Sequence, residues 1–165
     1  MPTPDSPDVM KLDKHGVIHL TRVTTGALIS LLIAQLFKLP EAYWAAITTL
    51  VVTQSTFGAS FRISWHRFVG TAIGAAAGAL LGTYFGENLF IFAAGAFALG
   101  ILCSALHLDI AAYRFSGITL AITMLTAHPK AAWIISLHRF FEVSVGIVVA
   151  LALTAVWPEA EAKPE

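Results

Sequence analysis

From Val17 to Val156 the chain runs for 140 residues with only 11 charged side chains, and this stretch limits what the sequence can fold into. Soluble domains carry roughly 25% charged residues. A chain of 165 residues cannot hide so much apolar surface from water, because small domains bury the smallest share of theirs. Over the full sequence 57% of residues are hydrophobic and 12% charged, with a mean hydropathy of +0.76. Lipid is the solvent that suits such a chain. The remaining charges gather at the ends, so the sequence reads as a polar tail (1–16), one membrane domain (17–157) and a second polar tail (158–165). The acidic, proline-containing start lacks the basic n-region of a signal peptide. Ten basic and ten acidic side chains cancel, which leaves no basic footprint for nucleic acid. The single cysteine, Cys103, excludes an internal disulfide and a cysteine-based zinc site.

A spanning helix needs about 20 mostly apolar residues. Six stretches qualify: Ile18–Phe37, Ala42–Phe57, His66–Phe85, Leu89–Leu106, Ile110–Ala127 and Trp133–Trp157. Short connections separate three of the pairs: Leu39-Pro40-Glu41, Gly86-Glu87-Asn88 and His128-Pro129-Lys130. With the N-terminus inside, seven basic residues fall on the inner side and three on the outer, so the positive-inside rule places both termini in the cytoplasm. Trp44, Trp65, Trp133 and Trp157 fall at predicted span ends, as an aromatic belt would have it.

The third and sixth spans match at an offset of 72. His66-Arg67-Phe68 recurs as His138-Arg139-Phe140, and Gly74 falls on Gly146. The second and fifth match at an offset of 71, with Ala46-Ile47-Thr48 on Gly117-Ile118-Thr119. Three spans per unit is an odd number, so the second unit enters the membrane from the opposite side. The expected fold is therefore all-α: six transmembrane helices arranged as a 3+3 inverted repeat, an architecture common among transporters. The second and fifth spans are the most polar, with Thr48 and Thr119 among their threonines; such paired spans point to a transport site, the alternative being that the threonines bond back to their own helix carbonyls and face neighbouring helices.

Gly70, Gly74, Gly78, Gly82 and Gly86 recur every four residues. Lipid gives helices no hydrophobic drive to associate, so close approach at small residues does that work. A step of four drifts about 40° around the helix, so the row should serve two neighbours. Gly146 keeps the matching position in the sixth span.

Charges inside a bilayer are costly and are usually functional. Arg139 lies about 9 Å past Trp133 at the helical rise, with Glu142 at i, i+3, where it can share a face with Arg139 and neutralise it. Otherwise Arg139 offers a positive site to an anion. His66-Arg67 and His138-Arg139 would stand near opposite ends of one path, with Thr48 and Thr119 between them. No His-Glu-x-x-His, aspartate cluster or Gly-x-Ser-x-Gly occurs, so hydrolysis and phosphoryl transfer lack their parts. No enzyme, metal or cofactor is expected.

The segments Tyr43-Trp44-Ala45-Ala46-Ile47-Thr48, Val51-Val52-Thr53-Gln54-Ser55 and Arg67-Phe68-Val69-Gly70-Thr71-Ala72-Ile73-Gly74-Ala75 resemble the FUSC family. This is the fusaric-acid-resistance and aromatic-acid-exporter group, related to plant aluminium-activated malate transporters. Ser55 stands where the family usually has proline. The resemblance implies an inner-membrane permease or channel for small organic anions, aromatic acids among them, with Arg67 and Arg139 on the anion path. The alternative is a non-transporting scaffold or partner subunit of a larger efflux assembly. Relatives commonly add a cytoplasmic domain or a second membrane half, and this sequence ends after the sixth span, so a homodimer is expected.

Overall fold

The computed structural model describes residues 14–54, 56–126 and 132–157. The two tails, Ser55 and the His128-Pro129-Lys130 connection lie largely or wholly outside them. The described chain is all-helical: α1 (Lys14–Leu36), α2 (Tyr43–Val52), α3 (Phe57–Phe85), α4 (Leu89–Ala105), α5 (Ile110–Thr126) and α6 (Ala132–Val156). Local chemistry sets several of these ends. The Thr56 side chain accepts from the Ala59 N–H to start α3, and Asn88 accepts from Phe90 and Ile91 to start α4. Gly86, at φ 61°, ends α3 in a backbone conformation that a side chain would resist.

The packing is inverted relative to a soluble domain. Leu32, Phe90 and Val148 are 63%, 83% and 65% exposed, whereas Arg22, Thr48, Thr49, Ser60, Ser116 and Thr123 are fully buried. Water would penalise that arrangement and lipid favours it, because lipid tails are as apolar as leucine and small or polar residues hold the helices together. The buried hydroxyls of Thr48, Thr49, Thr119 and Thr154 each donate to the carbonyl four residues earlier, which satisfies them without water.

Three helices are long and apolar enough to cross a membrane: the stretch Gly16–Leu36 of α1, then α3 and α6. The expected second span, Ala42–Phe57, is not one helix. The α2 helix has 10 residues and reaches about 15 Å at the helical rise, half of a hydrocarbon core of about 30 Å. Thr53 then turns extended, at φ −67° and ψ 115°, where polar side chains compete for the backbone. The Gln54 N–H donates to Ser60 Oγ at 2.9 Å, and the Gln54 carbonyl accepts from Arg22 Nη2 at 2.6 Å. Arg22 also donates from Nη1 to the Trp157 carbonyl at 2.9 Å. This fully buried cation thus binds the backbone just beyond the C-terminal ends of both α2 and α6, where the helix dipoles favour positive charge. Because Thr56 caps early, α3 starts at Phe57 rather than His66, and Trp65 lies two turns inside it, 54% exposed, not at a helix end.

The glycines fix the neighbours. A Cβ added at Gly70 would stand 2.4 Å from the Ala112 carbonyl oxygen, one at Gly74 2.3 Å from that of Ser116, and one at Gly78 2.8 Å from Thr123 Cβ, all on α5. At Gly82 it would meet Ala132 of α6 at 3.0 Å. The row therefore serves α5 first and α6 only at Gly82, while its last member, Gly86, ends the helix. A Cβ at Gly146 of α6 would stand 2.5 Å from the Ala45 carbonyl oxygen of α2. The Gly82–Ala132 approach joins the end of α3 to the start of α6, so these two long helices run antiparallel; Phe68 and Phe140 meet between them at 5.1 Å.

Candidate functional site

Arg67 is 6% exposed and lies about 15 Å along α3 from Phe57. Its Nε donates to Thr48 Oγ1 on α2 at 3.2 Å, and its guanidinium carbon lies 4.8 Å from the centroid of the Phe115 ring on α5. Arg139 is 2% exposed, and its guanidinium carbon lies 4.3 Å from the Trp44 ring centroid on α2. A guanidinium stacked on an aromatic face gains attraction that grows as water is excluded. Each arginine thus lies over an aromatic side chain near the start of another helix. The two arginines are 72 residues apart and the two rings 71.

The carboxylates break this match. Arg139 is paired with Glu41 through Nη2 and with Glu142 through Nη1, the latter at 3.3 Å. At the same offsets from Glu41 and Glu142 stand Ala112 and Gly70. Arg67 accordingly forms no ion pair among the described residues. The Oε2 atom of Glu41 accepts from Arg139, from the Tyr43 hydroxyl at 3.1 Å and from Trp44 Nε1 at 3.1 Å. Burial raises the pKa of the Glu41 carboxyl, but these donors and the charge of Arg139 outweigh it and hold the group below its ordinary value. Glu142, 1% exposed, accepts one hydrogen bond, from the Glu41 backbone N–H to Oε1 at 2.9 Å.

Both arginines line one narrow cleft between α2, α3, α5 and α6, together with Trp44, Thr71, Phe115 and Thr119. Its volume is about 10 Å³, near the least that admits one water. The two arginines are therefore neighbours across a closed gap, not opposite ends of a long path as the sequence suggested. Thr119 lines the gap, and Thr48 orients Arg67 from behind. His66 and His138 are only half-buried and do not line the cleft. Glu142, the partner expected for Arg139, does pair with it, and so does Glu41, which the sequence offered only as a turn residue. Trp44, expected at a span end, stands at the start of α2 and also lines the cleft. Phe115 could have been found by carrying Trp44 forward 71 positions. Among the described residues, no three His, Cys, Asp or Glu side chains gather where they could hold a metal.

The model of the fusaric acid resistance protein-like family matches residues 28–153, which contain every residue of this cleft. Inner membrane protein YeeA of Escherichia coli (strain K12) is 28% identical over 159 residues, covering 93% of this chain and 45% of its own. The chain thus spans just under half the length of that relative. No solved structure matches significantly. With most of its length covered by that family model, and with an exposed apolar surface around a polar interior, this chain is a membrane protein of the fusaric acid resistance protein-like family.

Proposed function

We propose that the chain is an inner-membrane permease or channel for small organic anions, aromatic carboxylates among them. The observation that carries the reading is Arg67: a cation buried in mid-helix, oriented by Thr48 and Phe115, and without a carboxylate partner among the described residues. An intramembrane charge is retained at a cost of about 2.5–3.5 kcal/mol on insertion scales, and a guanidinium binds a carboxylate through two parallel hydrogen bonds.

The architecture behind the reading is a 3+3 inverted repeat with six crossings and both termini cytoplasmic. Its support is the crosswise matching of contacts. Gly74 abuts Ser116 while Gly146 abuts Ala45, and Arg67 stacks on Phe115 while Arg139 stacks on Trp44. Phe68 and Phe140 touch each other near the axis that would relate the halves. The second crossing opens with the half-helix α2, whose backbone leaves helical geometry at Thr53, and broken spans of this kind frame transporter sites. The gap is closed in this conformation, so passage requires α3 and α5 to part from α2 and α6. Two copies of the chain form the working unit.

Flux of benzoate into proteoliposomes holding only this protein tests the reading. Selective flux that falls to background in Arg67→Gln, with normal amounts of folded protein, supports it. Absence of flux for every anion tried supports a scaffold or partner subunit instead.

A further inference from the structure

The charge count around Arg139 is unbalanced. Two carboxylates, from two different elements, share one guanidinium. They are also served unequally. Glu41 is part-exposed, and its Oε2 accepts from three donors. Glu142 is almost fully buried and accepts one backbone N–H, and its Oε2 makes no hydrogen bond although Arg139 Nη1 lies 3.3 Å away. A buried carboxylate short of donors is the member of such a pair that takes up a proton.

The other elements packed on α6 do not change the count. From α3, across the gap, comes the cation Arg67; α5 contributes Ile118, Thr119 and Ile122, none of which titrates. Near Val145, α1 supplies Leu31 and Ala34. Lys38, in the connection that bears Glu41, is exposed. Tyr43 donates to Glu41 from α2, and His138, on α6 itself, is half-buried.

We infer that Glu142, held with Glu41 on Arg139, is a proton-binding site whose occupation prepares the cleft for one monovalent anion. With both carboxylates ionised, Arg67, Arg139, Glu41 and Glu142 sum to zero. Adding a proton to Glu142 converts its carboxylate to a neutral acid and leaves the cluster with one positive charge. Arg139 then keeps a single carboxylate partner and has donors to spare on the side of the gap. A monoanion restores neutrality, so proton and anion favour each other's binding by the same factor. This deepens the transport reading and rests on it only for the anion.

Infrared difference spectroscopy of the protein in liposomes, from about pH 5 to about pH 9, tests the site directly. The wild type should show the carbonyl stretch of a protonated carboxylic acid that disappears as pH rises. Glu142→Gln should lack that band. Glu41→Gln should move it to lower pH, because Arg139 then serves Glu142 alone; this variant keeps the test open if Glu142→Gln folds poorly. Benzoate, added where the wild-type band is half-developed, should increase it, and the apparent Kd for benzoate should rise about tenfold per pH unit above that point. A wild type without the band, a band unchanged in Glu142→Gln, or a band indifferent to benzoate would overturn the inference. Benzoate flux without a benzoate-linked band overturns this inference and leaves the transport reading in place. A benzoate-linked band without flux does the reverse.

Discussion

The guanidinium of Arg67 lies over the ring of Phe115, 4.8 Å from its centroid, and this stack and one hydrogen bond to Thr48 orient a cation that no carboxylate among the described residues holds. Replacing Phe115 by leucine removes the aromatic face while keeping the Cβ that packs beside Gly70. We expect a loss of about 0.5–2 kcal/mol of restraint on Arg67, seen as weaker benzoate flux at unchanged amounts of folded protein. Lysine at position 67 keeps the charge without the planar fork. Its flux should fall less than that of Arg67→Gln, with poorer discrimination between carboxylates and chloride.

The glycine contacts give an expectation about stability. Gly74→Ala and Gly146→Ala each drive a methyl group into a backbone carbonyl, at 2.3 Å and 2.5 Å, and overpacking of this kind costs about 1–3 kcal/mol. Gly117→Ala meets nothing within 4 Å and replaces a helical glycine with a better helix former. Thermal unfolding in mild detergent should show the first two melting earlier than the parent. Gly117→Ala should melt no earlier.

Glu41 provides the pH dependence. Its folded-state pKa is depressed below the ordinary 4.5, so its contribution to stability is complete above that value and is lost as pH falls through the lower, folded-state value. The melting temperature of the wild type should exceed that of Glu41→Gln near neutral pH, and the two should converge in acid. A gap that persists unchanged to the lowest pH would show that Glu41 acts by shape and not by charge.

Arg22 holds the carbonyls of Gln54 and Trp157. Arg22→Ala strips two part-buried acceptors of their donor, each at a cost of about 1–3 kcal/mol. Loss of folded protein is expected, with resistance to proteolysis falling first near Thr53, where the backbone is extended. Arg22→Lys has one ammonium for two acceptors on different elements and should recover only part of the loss.

A reporter enzyme active only in the cytoplasm, fused after Glu165, should be active, and native mass spectrometry from nanodiscs should return two copies. A periplasmic signal from the fusion would remove the six-crossing topology, and a monomer in nanodiscs would remove the dimer.

Much of this molecule was legible in residue order because lipid simplifies the code. Apolar runs marked four of the six helices within a few residues of both ends; for α3 they marked the end but missed the start, which the Thr56 cap sets nine residues earlier. The second failed because hydropathy does not register a backbone leaving the helix: Thr53 and Gln54 are polar in the same degree whether they face a helix neighbour or bend the chain. The pairing of Arg139 with Glu142 followed from i, i+3 spacing, whereas Glu41 reaches the same guanidinium from 98 positions away, a relation that no local pattern carries. The expectation of a repeat misled in the other direction. Equivalent arginines were expected far apart, yet α3 and α6 cross near Phe68 and Phe140, which brings both to one gap.

The contacts of Gly70, Gly74 and Gly78 join α3 to α5 and that of Gly146 joins α6 to α2, so the long helix of each half is seated on a partner from the other half of the sequence. Separated, each half would keep the contacts of α1 with α2 or of α4 with α5 but would lose the seat of its longest helix. Expressed separately, residues 1–86 and 88–165 should each be degraded, yet together they should recover one another, since the contacts they lack are the ones they exchange.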